Sequence, residues 1–274
     1  MVRRQPKKPL VSYRGRLAPT PSGFLHLGHA RTFWVAHQRC RQRQGQLIYR
    51  QEDLDTDRCK PQFALAAIED LQWLGLSWDE GPYLQSQRMS IYAQHLQRLQ
   101  SSGAVYPCSC SRKEVQNSQR APNLGDEEPL YAGTCRQGMC GQTRCWRFRV
   151  PDGRKLRFLD LAQGQQTFEA GLDFGDFVVW RSQGGPSYQL ACAVDDGLMG
   201  ITEVVRGSDL LLSTARQWLL YEALGYPAPD FYHCPLVLDE HGVRLAKRYD
   251  ALSLRSLRQQ GATPAQILDR FSDW

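Results

Sequence analysis

The chain has 274 residues, 42% hydrophobic and 23% charged, with a mean hydropathy of −0.50. This balance supports a sizeable core and excludes disordered and fibrous classes, and no apolar run approaches the roughly 20 residues that a membrane-crossing helix needs. The formal net charge of +6 sits at the start, where Arg3, Arg4, Lys7, Lys8, Arg14 and Arg16 precede any acid and the remaining basic residues equal the 28 acidic ones in number.

No apolar stretch follows Lys8, so residues 1–12 read as a loose basic arm on a cytoplasmic protein and not as a secretion signal. Tyr13 to Ala18 predicts a short strand that runs into the turn-rich Pro19-Thr20-Pro21-Ser22-Gly23, and Gly28 to Gln44 has the composition of a helix. Strand, loop, helix is the opening of a nucleotide-binding α/β unit. Where the loop enters the helix stands His26-Leu27-Gly28-His29. Two imidazoles there offer donors to phosphate oxygens, the glycine admits close backbone approach, and the helix dipole favours an anion.

Leu47 to Arg50 predicts a second strand. Asp53, Asp55 and Asp57 lack the glycine and distant glutamate of a calcium loop and read as a helix-capping acidic turn. Pro61 to Leu74 predicts a helix, with Pro61 in its first turn and Gly75 beyond its end. Ile91, Leu96 and Leu99 lie on one stripe of another helix, closed by Ser101-Ser102-Gly103.

From Ala104 the α/β pattern breaks into an irregular insertion, closing near Ala170 with strands at Trp146 to Val150 and Leu156 to Leu161. Nine cysteines are an odd number in a chain too long to need disulfide staples, which points to thiols or a metal site. Cys40, Cys59, Cys192 and Cys234 are scattered and read as small buried hydrophobes, whereas Cys108, Cys110, Cys135, Cys140 and Cys145 crowd into the insertion. Cys108-x-Cys110 with a later cysteine is a zinc-type pattern, for which Cys140 or Cys145 would make a soft fourth ligand. Arg136, Arg144, Arg147, Arg149, Arg154, Lys155 and Arg157, set against Asp152 alone, read as phosphate contacts. A second α/β portion follows: strand at Phe177 to Trp180, helix at Tyr188 to Val194, strand at Glu203 to Arg206, and helix from Thr214 to Leu224 ending at Gly225.

The run Arg16-Leu17-Ala18-Pro19-Thr20 through His26-Leu27-Gly28-His29 resembles the signature of class I aminoacyl-tRNA synthetases of the glutamyl branch. The resemblance continues, in order, through Arg50-Gln51-Glu52-Asp53, Ser187-Tyr188-Gln189 with Val194-Asp195-Asp196, Glu203-Val204-Val205-Arg206, and Arg244-Leu245-Ala246-Lys247-Arg248. The last stands where the family has its mobile KMSKS loop, with Arg244, Ala246 and Arg248 departing from the pattern. The family fold is α/β, a Rossmann-type (HUP-like) parallel sheet with a zinc-containing inserted subdomain. On this chain it implies catalytic halves at 13–103 and 171–240 around an insertion at 104–170, then the loop and a short helical segment at 241–274.

The implied chemistry is attack of a glutamate carboxylate on the α-phosphate of ATP, supplied with Mg2+, to give an adenylate and pyrophosphate. By resemblance His26, Gly28 and His29 line the phosphates and Lys247 closes over the leaving pyrophosphate; His26, His29 and Lys247 are the implied catalytic residues. Arg16 and Arg206 match the arginines that bind L-glutamate, Glu52 the acid that takes its amino group, Tyr188 an aromatic wall, and Leu17, Ala18, Pro19 and Thr20 the adjoining backbone. An arginine fork suits a carboxylate better than a lysine does. The family's zinc ligands correspond to Cys108, Cys110, Tyr131 and Cys135, with the rivals Cys140 and Cys145 left open.

Few residues follow Arg248, whereas ordinary glutamyl-tRNA synthetases continue into an anticodon-binding domain. That combination resembles the truncated glutamyl-Q tRNA(Asp) synthetases, which need no tRNA to activate glutamate and join it to queuosine at the wobble position of tRNA(Asp). The expectation is a monomer with no membrane partner. The alternatives are a compact glutamyl-tRNA synthetase charging a tRNA 3′ end, and a non-catalytic RNA-binding paralogue.

Overall fold

The computed structural model describes residues 12–117, 130–138, 141–237 and 253–271. Most of the basic arm, Cys140 and the run from Arg244 to Arg248 with Lys247 lie outside the described residues.

Three strands, β1 (Arg14–Leu17), β2 (Gln46–Gln51) and β3 (Glu80–Leu84), form a parallel sheet with β2 in the middle. β2 is buried from Leu47 to Gln51 without alternation, as a strand covered on both faces must be. The crossovers are α1 (Leu27–Gln42) and α2 (Pro61–Trp73). Pro61 opens α2, where its missing N–H costs nothing, and Gly75 follows its end at φ +80°, a conformation that favours glycine. α3 (Met89–Ser101) lays Tyr92, Leu96 and Leu99 against the second half of the molecule.

β4 (Val105–Cys108) leads to the short α4 (Arg112–Asn117), and then come β5 (Cys145–Phe148), β6 (Lys155–Asp160), β7 (Gly164–Glu169) and β8 (Val178–Trp180). β4, β5 and β8 make a small antiparallel sheet, while β6 and β7 form a hairpin. α5 (Tyr188–Leu198) and α6 (Leu211–Leu224) flank β9 (Glu203–Gly207), which pairs in parallel with β10 (Asp230–Cys234). β10 in turn pairs with β6, so strands on either side of residue 170 share sheets: β8 joins β5, and β6 joins β10. α7 (Leu254–Gln259) and α8 (Pro264–Asp269) close the described chain, α8 behind a capping box of Thr263 and Gln266. Among the described residues no helix is long and apolar enough to cross a membrane.

β1 and β9 lie side by side where the three-stranded parallel sheet meets the mixed sheet of β9, β10, β6 and β7. Thr202 N–H donates to Arg14 O at 2.8 Å, and further along Arg16 Nη1 reaches Val205 O at 2.8 Å. Among the described residues no strand ladder continues across this seam, and a side chain spans it where a backbone rung would be. Crossovers run away from the seam on both sides, which makes the carboxyl ends of β1 and β9 the place where an open α/β sheet receives ligands.

Candidate active site

The signature turn is built on a histidine cap. His26 precedes α1 with extended backbone, its Nδ1 accepts the Gly28 N–H at 3.1 Å, and its ring stacks on that of His29 with centroids 3.7 Å apart. A Cβ on Gly28 would lie 3.1 Å from the His26 ring, so any larger residue would push the ring aside. Leu254 N–H donates to Leu25 O at 2.7 Å, His26 bridges to Ser253, and Val237 lies beside Gly28. The described chain on both sides of 238–252 therefore meets this turn.

The expected glutamate residues converge on the seam. Arg16 on β1 is buried, with Nη1 on Val205 O and Nε 3.7 Å from Asp196 Oδ1. Glu52, just past β2, is tied to the first loop by its N–H on Pro19 O (2.9 Å). Its carboxylate accepts from Arg50 Nη2 (3.0 Å) and from the Cys192 thiol (3.3 Å). Leu17 is fully buried under the cleft, while Ala18 and Thr20 are at least partly open. Tyr188 opens α5 and keeps 36% of its surface exposed. Its phenol pKa is nonetheless raised, first by burial and then by Cys192 and Glu52, against the pull of Arg206 and Arg16. Tyr188 is thus partly open to solvent and close enough to Cys192, Glu52, Arg206 and Arg16 to feel their charges.

Sequence reasoning assigned no role to the pair that holds these arginines. Asp196 on α5 takes Arg50 Nη1 at 2.6 Å and Tyr221 Oη at 3.1 Å beside Arg16, and Asp195 takes Arg88 Nε at 2.8 Å and Tyr92 Oη at 2.8 Å. Burial alone would push the Asp196 pKa up, but Arg50 and Arg16 bring it below the usual carboxylate range. Arg206 is different. It is 5% exposed, and its donors go to His233 Nε2, Gln217 Oε1 and Thr214 Oγ1, all uncharged. No carboxylate of the described residues is paired with it, so this buried cation has neutral acceptors and no counter-ion among them.

The acidic turn does not cap α2, whose N-cap Lys60 has no side-chain cap hydrogen bond; Asp53 instead accepts from the N–H (2.9 Å) and hydroxyl (2.7 Å) of the distant Ser86, and Asp55 from the Arg58 N–H (3.3 Å) within the turn.

In the small sheet Cys108, Cys110 and Cys135 bring their sulfurs within 4.8 Å of one another. Tyr131 Oη lies 3.4 Å from Cys108 Sγ and 3.3 Å from Cys110 Sγ, and Cys110 and Cys135 Sγ are 3.6 Å apart. Tetrahedral zinc with 2.3 Å thiolate bonds sets sulfurs about 3.8 Å apart, so this three-sulfur, one-oxygen set could hold such an ion. Cys145 lies outside the group and stands opposite Cys108 in the pairing of β4 with β5. Cys140 lies outside the described residues.

Of the seven cations expected to meet phosphate, Arg147 turns inward on β5. It donates to Cys108 Sγ (3.4 Å) and Asp176 O (3.0 Å) and covers the Tyr131 ring at 3.9 Å. Arg136 pairs with Asp152 and Asp176, Arg154 with Glu222 and Lys155 with Glu169. Of the four scattered cysteines, Cys59 is half-buried and Cys192 is a donor to Glu52 and no mere apolar filler.

Comparison with known proteins follows the same lines. The family model described as "tRNA synthetases class I (E and Q), catalytic domain" matches residues 12–272. A curated protein named glutamyl-Q tRNA(Asp) synthetase, from Symbiobacterium thermophilum, is 48% identical over 94% of this chain and 85% of its own length. A glutamate–tRNA ligase from Aquifex aeolicus is 40% identical, with 93% of this chain matching 55% of that protein. Among solved structures, a glutamate tRNA ligase from Elizabethkingia meningosepticum in complex with its amino acid superposes with a TM-score of 0.76 at 29% identity, covering 92% of this chain and 54% of that one.

Proposed function

Because the chain belongs to the class I aminoacyl-tRNA synthetases of the E and Q group, we propose that this ligase activates L-glutamate with ATP in the absence of tRNA and transfers it to queuosine of tRNA(Asp). The observation that carries the amino-acid assignment is Arg206: a buried guanidinium held by neutral acceptors gains a counter-ion when a substrate carboxylate enters. Arg16 supplies a second cation across the seam, Glu52 takes the ammonium, and Tyr188 with the backbone of Leu17, Ala18, Pro19 and Thr20 encloses the chain between them.

In the first step a glutamate α-carboxylate oxygen attacks the α-phosphorus of ATP, and the bond to pyrophosphate breaks. Covalent help is not required; in-line positioning and donors aimed at the growing charge are. His26, His29 and the N–H groups behind Gly28 serve the phosphates at the start of α1, and Lys247 serves the pyrophosphate, with Mg2+ accompanying the nucleotide. The described segments that flank Lys247 both meet the His26 turn, which supports that role. In the second step a queuosine hydroxyl attacks the activated carbonyl, AMP leaves, and an ester forms.

Zinc held by Cys108, Cys110, Tyr131 and Cys135 would be structural: a closed four-ligand set leaves no position for water, and it ties the end of β4 to the 131–135 turn. Arg147 offsets part of the thiolate charge. We place the enzyme in the cytoplasm as a monomer.

The queuosine assignment is supported by similarity that extends over most of the length of the glutamyl-Q relative. It is tested by labelled-glutamate transfer to tRNA(Asp) from cells that make queuosine and from cells that do not. Label is expected only on the former and off its 3′ end. Equal labelling, or preference for the 3′ end of tRNA(Glu), assigns the chain to ordinary charging instead. Absence of ATP–pyrophosphate exchange with glutamate overturns the enzymatic reading altogether.

A further inference from the structure

Arg206 does not set its own orientation. Three of its five N–H donors are taken by protein: Nε by His233 Nε2 at 3.1 Å, Nη1 by Gln217 Oε1 at 2.8 Å and Nη2 by Thr214 Oγ1 at 2.6 Å. One N–H is left on each terminal nitrogen, and both are available to a carboxylate. The Nε bond exists only while His233 Nε2 carries no proton, because two N–H groups would otherwise point at each other. That condition is met from the opposite side of the ring. His233 Nδ1 lies 2.5 Å from Asp160 Oδ2, and the other Asp160 oxygen accepts the backbone N–H groups of Ala162 (3.0 Å), Gln163 (2.8 Å) and His233 (3.2 Å).

These bonds keep Asp160 an acceptor, and an acceptor at Nδ1 fixes the proton there. Burial lowers the His233 pKa, so the ring stays neutral, while the Asp160 pKa is held down by its hydrogen bonds in spite of its own burial. The register explains the alignment. His233 on β10 stands directly opposite Arg206 on β9, and Asp160 ends β6 on the other side of β10. Three adjacent strands each contribute one member of the chain.

We infer that His233, its tautomer set by Asp160, is a positioning residue that locks the Arg206 fork in the orientation that receives a glutamate carboxylate. This rests on the reading of Arg206 as a glutamate ligand, and the test separates the two. His233→Gln can present a carbonyl oxygen near the place of Nε2, whereas His233→Asn reaches only the place of Nδ1 and keeps the bond to Asp160 without an acceptor for Arg206.

The measurement is ATP–pyrophosphate exchange with full-length protein, with the KM for glutamate, the KM for ATP and kcat determined separately. His233→Asn is expected to raise the glutamate KM about tenfold or more, with kcat and the ATP KM changed by less than about threefold; His233→Gln should stay within about threefold throughout. Equal glutamate KM increases in the two variants, or a parallel loss in kcat, ATP KM and Tm, would show a ring that only fills space and overturn the inference. Arg206→Lys is the companion variant. If it leaves the glutamate KM unchanged, the glutamate-ligand reading falls and the inference with it. If it raises that KM while His233→Asn does not, only the positioning role is lost.

Discussion

Asp196 lets two arginines share the interior with Glu52. Its carboxylate bonds Arg50 and approaches Arg16, and Arg50 in turn bonds Glu52, so the acid proposed to take the substrate ammonium is oriented by a side chain that Asp196 holds. Asp196→Asn removes the anion and leaves buried cations short of a partner, and it should destabilise the fold by about 3 kcal/mol at pH 7. The folded pKa of Asp196 is depressed, so its contribution is complete above the unfolded value near 3.8 and is lost as pH falls through the lower folded value. The stability gap between native protein and variant, measured by urea unfolding, should therefore narrow on acidification; a gap independent of pH would contradict this role. At this scale the sequence was legible where a residue belongs to a contiguous motif, as Arg16, Glu52 and Arg206 do. Asp160, His233 and Cys192 act through partners 27 to 140 positions away in the chain, as the Arg206–His233 and Glu52–Cys192 contacts show, and no local pattern announces such pairs.

Among the elements, periodicity and end signals located α1, α2, α5 and α6, and strands such as β2 and β9 whose buried faces are continuous. β3, β4, β7 and β10 escaped, β4 being only four residues long with Pro107 among them. β3 and β7 carry largely exposed or polar residues, and β10 reads Asp-Phe-Tyr-His-Cys because its histidine is buried in the Arg206 chain and not placed by apolar alternation. The cysteine-bearing sheet makes a sharper case. Spacing admitted Cys145 as a metal ligand, but strand pairing sets it opposite Cys108, beside the sulfur cluster and outside it. Cys135→Ser should therefore lower metal content on elemental analysis and make the remaining metal easier to remove with a chelator, whereas Cys145→Ser should leave one ion per chain. Metal loss in the second variant and not in the first would exchange their roles.

Over the whole molecule, a parallel sheet and a mixed sheet belong to one catalytic unit but are joined by few backbone bonds where they meet. The Arg16 guanidinium on Val205 O bridges a gap that a strand ladder would otherwise close. In the proposed complex glutamate contacts Arg16 on one sheet and Arg206 on the other, and so acts as a missing rung of that ladder. Binding should then appear in the opening rates of the protein itself. Amide hydrogens of β1 and β9 should exchange more slowly with glutamate present, while those of β7, at the far edge, keep their free rate. Uniform slowing, or none at the seam, would mean that the amino acid sits against one sheet only. On this view the substrate supplies cohesion that the polypeptide leaves out, and the empty enzyme is the looser one along the line where its chemistry takes place.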